Sequence, residues 1–120
     1  IKPLKEKGIL VSMFIDPDIK QIEASSYIGA DYIEMHTGTF SNAFEENNYK
    51  NELEKLKIAA LHAQKLGLKV NAGHGLNYQN VHLMHEIKGL CELNIGHSII
   101  SRAVFVGLKT AIDEMLDLIK

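Results

Sequence analysis

Three short segments of the chain combine ionisable and flexible residues in ways that suit proton transfer and anion binding. In Tyr32-Ile33-Glu34-Met35-His36-Thr37-Gly38, Glu34 and His36 lie two residues apart, so an extended backbone points both to one side. A carboxylate and an imidazole on one face can do general acid and base work, or ligate a metal. An unpaired buried carboxylate is costly, so Glu34 must meet a cation, a hydrogen-bond donor or a substrate. A purely structural Glu34, hydrogen-bonded to neighbouring strands, is the competing reading. In Gly73-His74-Gly75, two glycines free the backbone around a histidine and let N–H groups come close to a ligand. Imidazole exchanges protons near neutral pH, which makes His74 a candidate proton carrier. In the third segment, Gly96-His97 precedes a short helix expected over residues 99–106 and capped by Ser98. The free N–H groups and dipole of such an N-terminus favour an anion, phosphate above all. Arg102 is the only arginine of the sequence, so backbone donors must supply most of the grip. An ordinary glycine-containing turn is the alternative there.

Other reactive side chains carry less. His82 and His85 are three apart with no third ligand at suitable spacing, which reads as two solvent-facing histidines, and His62 falls on the polar face of a helix. The lone Cys91 has no partner for an internal disulfide, fits a reducing compartment and is expected as a small buried apolar residue. No phosphate-binding P-loop, nucleophile elbow or dinucleotide fingerprint is present.

What must position the three segments is an alternation of strands and helices. Residues 9–15, 32–36, 69–72 and 92–96 read as strands, spaced roughly 23 to 37 residues apart, and each is followed by a helical pattern. Residues 18–28 and 49–66 carry apolar side chains at helical spacing, the second with Leu53, Leu56, Ala60 and Ala63 on one face. Residues 78–87 form a shorter helix with Asn77 as its N-cap, and Leu108, Ala111, Ile112, Met115 and Leu118 stripe the last one. Residues 41–48, rich in Asn and Glu, read as a surface loop. Repeated strand and helix imply a parallel α/β sheet, either doubly wound or part of an eight-stranded barrel. The alternation within the strands favours the barrel. Val11, Met13 and Ile15 oppose Ser12, Phe14 and Asp16; Ile33 and Met35 oppose Glu34 and His36; Leu93 and Ile95 oppose Glu92, Asn94 and Gly96. A sheet covered by helices on both faces has nearly uniform apolar strands, whereas one polar face suits a barrel lumen, with the site at the C-terminal strand ends. A self-satisfied buried polar layer is the rival explanation of that face.

Composition excludes several classes. The chain has 120 residues, 46% of them hydrophobic, with 13 Lys plus Arg against 15 Asp plus Glu and a net charge of -2. Near-neutral, interspersed charge gives no footprint for nucleic acid or an anionic membrane. No apolar run approaches the roughly 20 residues that span a bilayer, so a soluble cytoplasmic protein is expected.

The blocks Val11-Ser12-Met13-Phe14-Ile15-Asp16, Tyr32-Ile33-Glu34-Met35-His36-Thr37-Gly38, Gly67-Leu68-Lys69-Val70-Asn71-Ala72-Gly73-His74-Gly75-Leu76 and Glu92-Leu93-Asn94-Ile95-Gly96-His97-Ser98-Ile99-Ile100 resemble the pyridoxine 5'-phosphate synthase family, in family order and spacing. The resemblance implies a transferase of vitamin B6 biosynthesis that condenses 1-deoxy-D-xylulose 5-phosphate with 3-amino-2-oxopropyl phosphate, releasing phosphate and water, with no metal and no organic cofactor. It implies His74 as proton donor and Glu34 as stabiliser of charge during ring closure. Gly75, Gly96 and His97 would contact the amino-ketone phosphate. The family's remaining catalytic histidine and glutamate belong to the first half of its barrel, which nothing here matches. The expected fold is therefore α/β, four parallel strands forming the C-terminal half, strands five to eight with their helices, of a TIM (β/α)8 barrel. Residues 1–120 would be one partial domain whose N-terminal half is missing, cut at Ile1 and inactive alone, from an enzyme that assembles into homo-oligomers. Two other readings compete: a metal-dependent barrel hydrolase with Glu34, His36, His74 and His97 as ligands, and a non-catalytic phosphate-binding module.

Overall fold

Strand and helix alternate as the hydrophobic pattern requires, and the register between strands sorts the side chains into two chemically distinct faces. A computed structural model describes all of residues 1–120. A one-turn helix α1 (Lys2–Lys5) leads into β1 (Ser12–Ile15), α2 (Ile19–Tyr27), β2 (Tyr32–His36), α3 (Gly38–Glu45), α4 (Lys50–Lys65) and β3 (Lys69–Gly73). A 3₁₀ segment, Val81–Glu86, then precedes β4 (Leu90–Asn94), α5 (His97–Val106) and α6 (Leu108–Leu118). The four strands form one parallel sheet in the order β1-β2-β3-β4. This is an α/β fold of the kind that makes up part of a TIM barrel.

Pairing aligns Met13 with Ile33, Ile33 with Val70, and Val70 with Leu90; one step on, it aligns Ile15, Met35, Ala72 and Leu93. These rows face the helices. Ile33, Met35 and Val70 join Ile22 of α2, Phe40 of α3 and Leu53, Leu56, Ala59, Ala60 and Ala63 of α4 in one buried core. Asp18 closes the first turn of α2, its carboxylate accepting from the Gln21 N–H at 3.0 Å. The opposite face carries the row Phe14, Glu34, Asn71, Glu92 and, nearer the C-terminal strand ends, the row His36, Gly73, Asn94. Asn71 is buried there, and its Oδ1 has no donor within the chain.

Several sequence expectations are corrected. Of the expected surface loop over residues 41–48 only the exposed turn 46–48 remains: α3 continues through Glu45, because Phe40 and Phe44 fall one helical turn apart and pack with Tyr49, ring centroids 6.2 and 5.2 Å from it. Residues 78–87 shrink to the 3₁₀ segment, and Asn77 caps no α-helix; its Oδ1 accepts from the N–H groups of Gln79 and Asn80 in a tight turn. The fourth strand starts at Leu90 and ends at Asn94, with a register shift against β3 between Val70 and Asn71. Cys91 falls in that irregularity and is exposed, not buried. Helix α5 begins at His97 with Gly96 as N-cap, and the Ser98 hydroxyl donates to the Leu76 carbonyl at 2.9 Å and caps nothing.

The sheet is open at both edges, β1 and β4, and only 26 of 120 residues are buried. The radius of gyration is 15.3 Å and the extents are 44 × 34 × 21 Å, against about 13.6 Å for a closed globule of this length. The molecule is thus a slab. Helix α5 buries no residue, and its Phe105 is 84% exposed. No helix is long and apolar enough to cross a membrane.

Candidate active site

Parallel strands deliver their C-terminal ends to one rim of the sheet, and there the chain forms a cleft of about 740 Å³. Glu34, His74, Gly75, Gly96 and His97, the five residues singled out from the sequence, all line it. Glu34 leans forward from β2 across β3 and accepts a hydrogen bond from Asn94 Nδ2 of β4 at 2.7 Å. The path exists because residue 73 has no side chain. A Cβ on Gly73 would run into Glu34 Oε1 and would lie 2.9 Å from the Asn94 carbonyl oxygen. The carboxylate therefore has its cation substitute, a neutral amide donor, and keeps its other oxygen free.

His74 follows β3 with φ +80°, a left-handed conformation that a residue with a Cβ adopts only when its surroundings impose it. Thr37, fully buried at the end of β2, supplies that support. Its N–H donates to the Gly73 carbonyl at 2.8 Å, and its hydroxyl lies 2.7 Å from the carbonyl oxygens of both Gly73 and His74. The imidazole stacks on that of His36 with centroids 4.7 Å apart and 28° between planes, and Phe14 meets His36 edge-on. Gly38 makes room for the pair, since a Cβ there would lie 2.5 Å from His36 Cε1 and 3.1 Å from His74 Cδ2. Gly75 follows with φ +77°, and a Cβ on it would sit 2.8 Å from Ser41. Asn80, fully buried, reaches the Gly75 carbonyl and the Ser41 hydroxyl at 3.4 Å each.

Across the cleft, Gly96 and His97 open α5, whose first N–H groups have no helical partner and face solvent with the exposed Gly96. Arg102 does not join them. It forms a bidentate pair with Glu114 at 2.8 and 2.9 Å, which holds the Glu114 carboxyl below its usual range. No three His, Cys, Asp or Glu side chains in the chain converge to hold a metal ion, so Glu34, His36, His74 and His97 do not assemble the metal site weighed above. His82 and His85 are exposed, as the sequence pattern indicated.

Sequence reasoning missed Thr37, Asn80, Asn94 and Ser41 as parts of this site. Asn94 had a signal, its place on the polar face of the last strand. Thr37, Ser41 and Asn80 had none, because their roles depend on contacts across 36, 34 and 39 residues that no local pattern encodes.

The arrangement places a carboxylate, an imidazole on a fixed backbone and a helix N-terminus around one cavity, which suits proton transfer on an anionic substrate. The family model described as pyridoxal phosphate biosynthesis protein PdxJ matches residues 1–120. Relatives named pyridoxine 5'-phosphate synthase include those of Geobacter sulfurreducens, 56% identical over 98% of this chain and 49% of its own length, and Sulfurihydrogenibium sp., 57% identical over 99% and 49%. That of Aquifex aeolicus is 51% identical over the whole of this chain and 52% of its own. The chain spans about half the length of the curated relatives it matches.

Proposed function

The chain belongs to the PdxJ family of pyridoxal phosphate biosynthesis proteins, and from that premise we propose that it is the C-terminal half of a pyridoxine 5'-phosphate synthase. In this reading residues 1–120 are one partial domain, strands five to eight of a TIM barrel, and the open edges at β1 and β4 receive the strands of the other half. The substrates are 1-deoxy-D-xylulose 5-phosphate and 3-amino-2-oxopropyl phosphate, and the products are pyridoxine 5'-phosphate, phosphate and water.

The single observation that carries the proposal is the cleft in which Glu34, His74, Gly75, Gly96 and His97 meet. His74 is the proton donor, an exposed imidazole carried on a backbone that Thr37 holds. Glu34, oriented by Asn94, stabilises positive charge that develops as the carbonyl and amine condense and dehydrate. The N–H groups of Gly96 and His97, with the backbone of Gly75, bind the phosphate of the amino-ketone. Condensation and dehydration move protons at each step and require no strong nucleophile.

The reading is tested in a chimera that joins this chain to the first half of the Geobacter sulfurreducens relative. Pyridoxine 5'-phosphate is expected from the chimera with both substrates, and none from the chain alone. His74→Asn in the chimera is expected to lower turnover by about a hundredfold or more. Turnover by the chain alone, or full activity of His74→Asn, sinks the proposal.

A further inference from the structure

We propose that Thr37 is the positioning residue for His74, its buried hydroxyl fixing the left-handed backbone from which the imidazole is presented. The inference rests on the reading of His74 as a proton donor and adds the device that aims it.

The argument begins with the torsions. Residue 74 keeps φ +80° despite its side chain, a conformation that unsupported L-residues abandon for the right-handed or extended regions. The two peptide planes on either side of its Cα set φ and ψ, and their carbonyls belong to Gly73 and His74. Thr37 Oγ1 stands 2.7 Å from both oxygens. A hydroxyl has a single proton, so the two carbonyls share it, and one short side chain couples both planes. The Thr37 N–H adds a second bond to the Gly73 carbonyl at 2.8 Å. Thr37 is fully buried, its bond to the Gly73 carbonyl is buried and that to the His74 carbonyl is partly so, which limits competition from water. The only other side chain bonded to a carbonyl of residues 73–75 is Asn80, at 3.4 Å from that of Gly75.

Thr37 does not line the cleft, so its effect on chemistry must pass through His74. Of the groups assigned to the phosphate, Gly96 and His97 lie on a different turn, which Thr37 does not touch, and only the Gly75 N–H shares a peptide with the His74 carbonyl that Thr37 holds. Losing the hydroxyl is therefore expected to disturb the proton transfer more than phosphate binding, most of which rests on Gly96 and His97.

The experiment uses the chimera described above. In Thr37→Val, kcat is expected to fall about tenfold to a hundredfold, the scale on which misplacement of a catalytic group by an ångström is felt. KM for the amino-ketone phosphate is expected to rise by a smaller factor than kcat falls, and Thr37→Ser, which keeps the hydroxyl, to recover most of both losses. The His74 imidazole resonances are expected to move in Thr37→Val while those of the remote His82 and His85 stay in place. This readout does not need turnover: if the parent chimera is inactive, the reaction assigned above fails, and the resonances still decide the role of Thr37. Should Thr37→Val not fold, Thr37→Ala removes the hydroxyl without pressing a methyl on the carbonyls and is read the same way. Parental kcat with unmoved His74 resonances overturns the proposal.

Discussion

Of the two turns that frame the cleft, the one at residues 73–76 is held from three sides, while the one at residues 95–98 is held from one. Around His74 the carbonyls of Gly73, His74, Gly75 and Leu76 accept from Thr37, Asn80 and Ser98, and a Cβ on Gly73 or Gly75 would collide with Glu34 or Ser41. Around Gly96 there is open space: a Cβ there would meet no atom within 4 Å, and the helix that follows buries no side chain. Both turns contain glycine, but for different reasons. Packing and a positive φ dictate Gly75, whereas Gly96, at φ −122°, takes a conformation that other residues also adopt. A proton donor acts through one atom in one place and gains from a rigid mount. An anion is gripped by several N–H groups at once, and what such a turn requires is room for the ligand to approach.

The sharpest way to break this contrast is Gly75→Ala. The methyl must occupy space 2.8 Å from Ser41 while its residue holds a left-handed backbone, so strain and overpacking add. Stability is expected to fall by about 2–4 kcal/mol, read as a lower urea midpoint of the chimera, with turnover falling alongside. An unchanged midpoint means that the turn is softer than its contacts indicate.

A smaller effect is expected at the link between the two sides, the Asn94 to Glu34 bond at 2.7 Å. Asn94→Asp replaces the donor by a second carboxylate at hydrogen-bond distance, and like charges so close repel. Glu34 then swings off Gly73, and kcat is expected to fall about tenfold or more at neutral pH, while Asn94→Ser, which keeps a donor, loses less. Equal activity of Asp and Ser variants shows that Asn94 does not orient Glu34.

How much of this was legible beforehand follows the same division. The four strands, their alternation and the five cleft residues could be read from the sequence because each depends on local spacing: Glu34 beside His36, glycines around His74, Gly96-His97 before a helix. Helix α3 was missed because its only apolar signal, Phe40 and Phe44, was outweighed by the polar run that follows, and the core contact of Phe40 decides the matter. Cys91 was misplaced because the register shift against β3 leaves it out of the regular alternation. Thr37 was invisible because its partners lie 36 and 37 residues away. The partners that hold the 73–76 turn are tertiary, and the 95–98 turn has almost none.

The smallest structural effect is expected where that argument is most exposed. Gly96→Ala adds a methyl into open space on a backbone with negative φ, so stability is expected to change by less than about 0.5 kcal/mol. If glycine serves the approach of a phosphate to the N–H groups that open α5, the same methyl stands in the ligand's way. KM for 3-amino-2-oxopropyl phosphate is then expected to rise about tenfold, with kcat at saturation nearly unchanged, because uniform binding alone is lost. Titration of the chimera with the amino-ketone phosphate, set beside its urea midpoint, separates the two quantities. A loss of stability without a change in KM puts an unseen packing partner at Gly96 in place of a ligand, and reduces the contrast between the turns to the presence of neighbours.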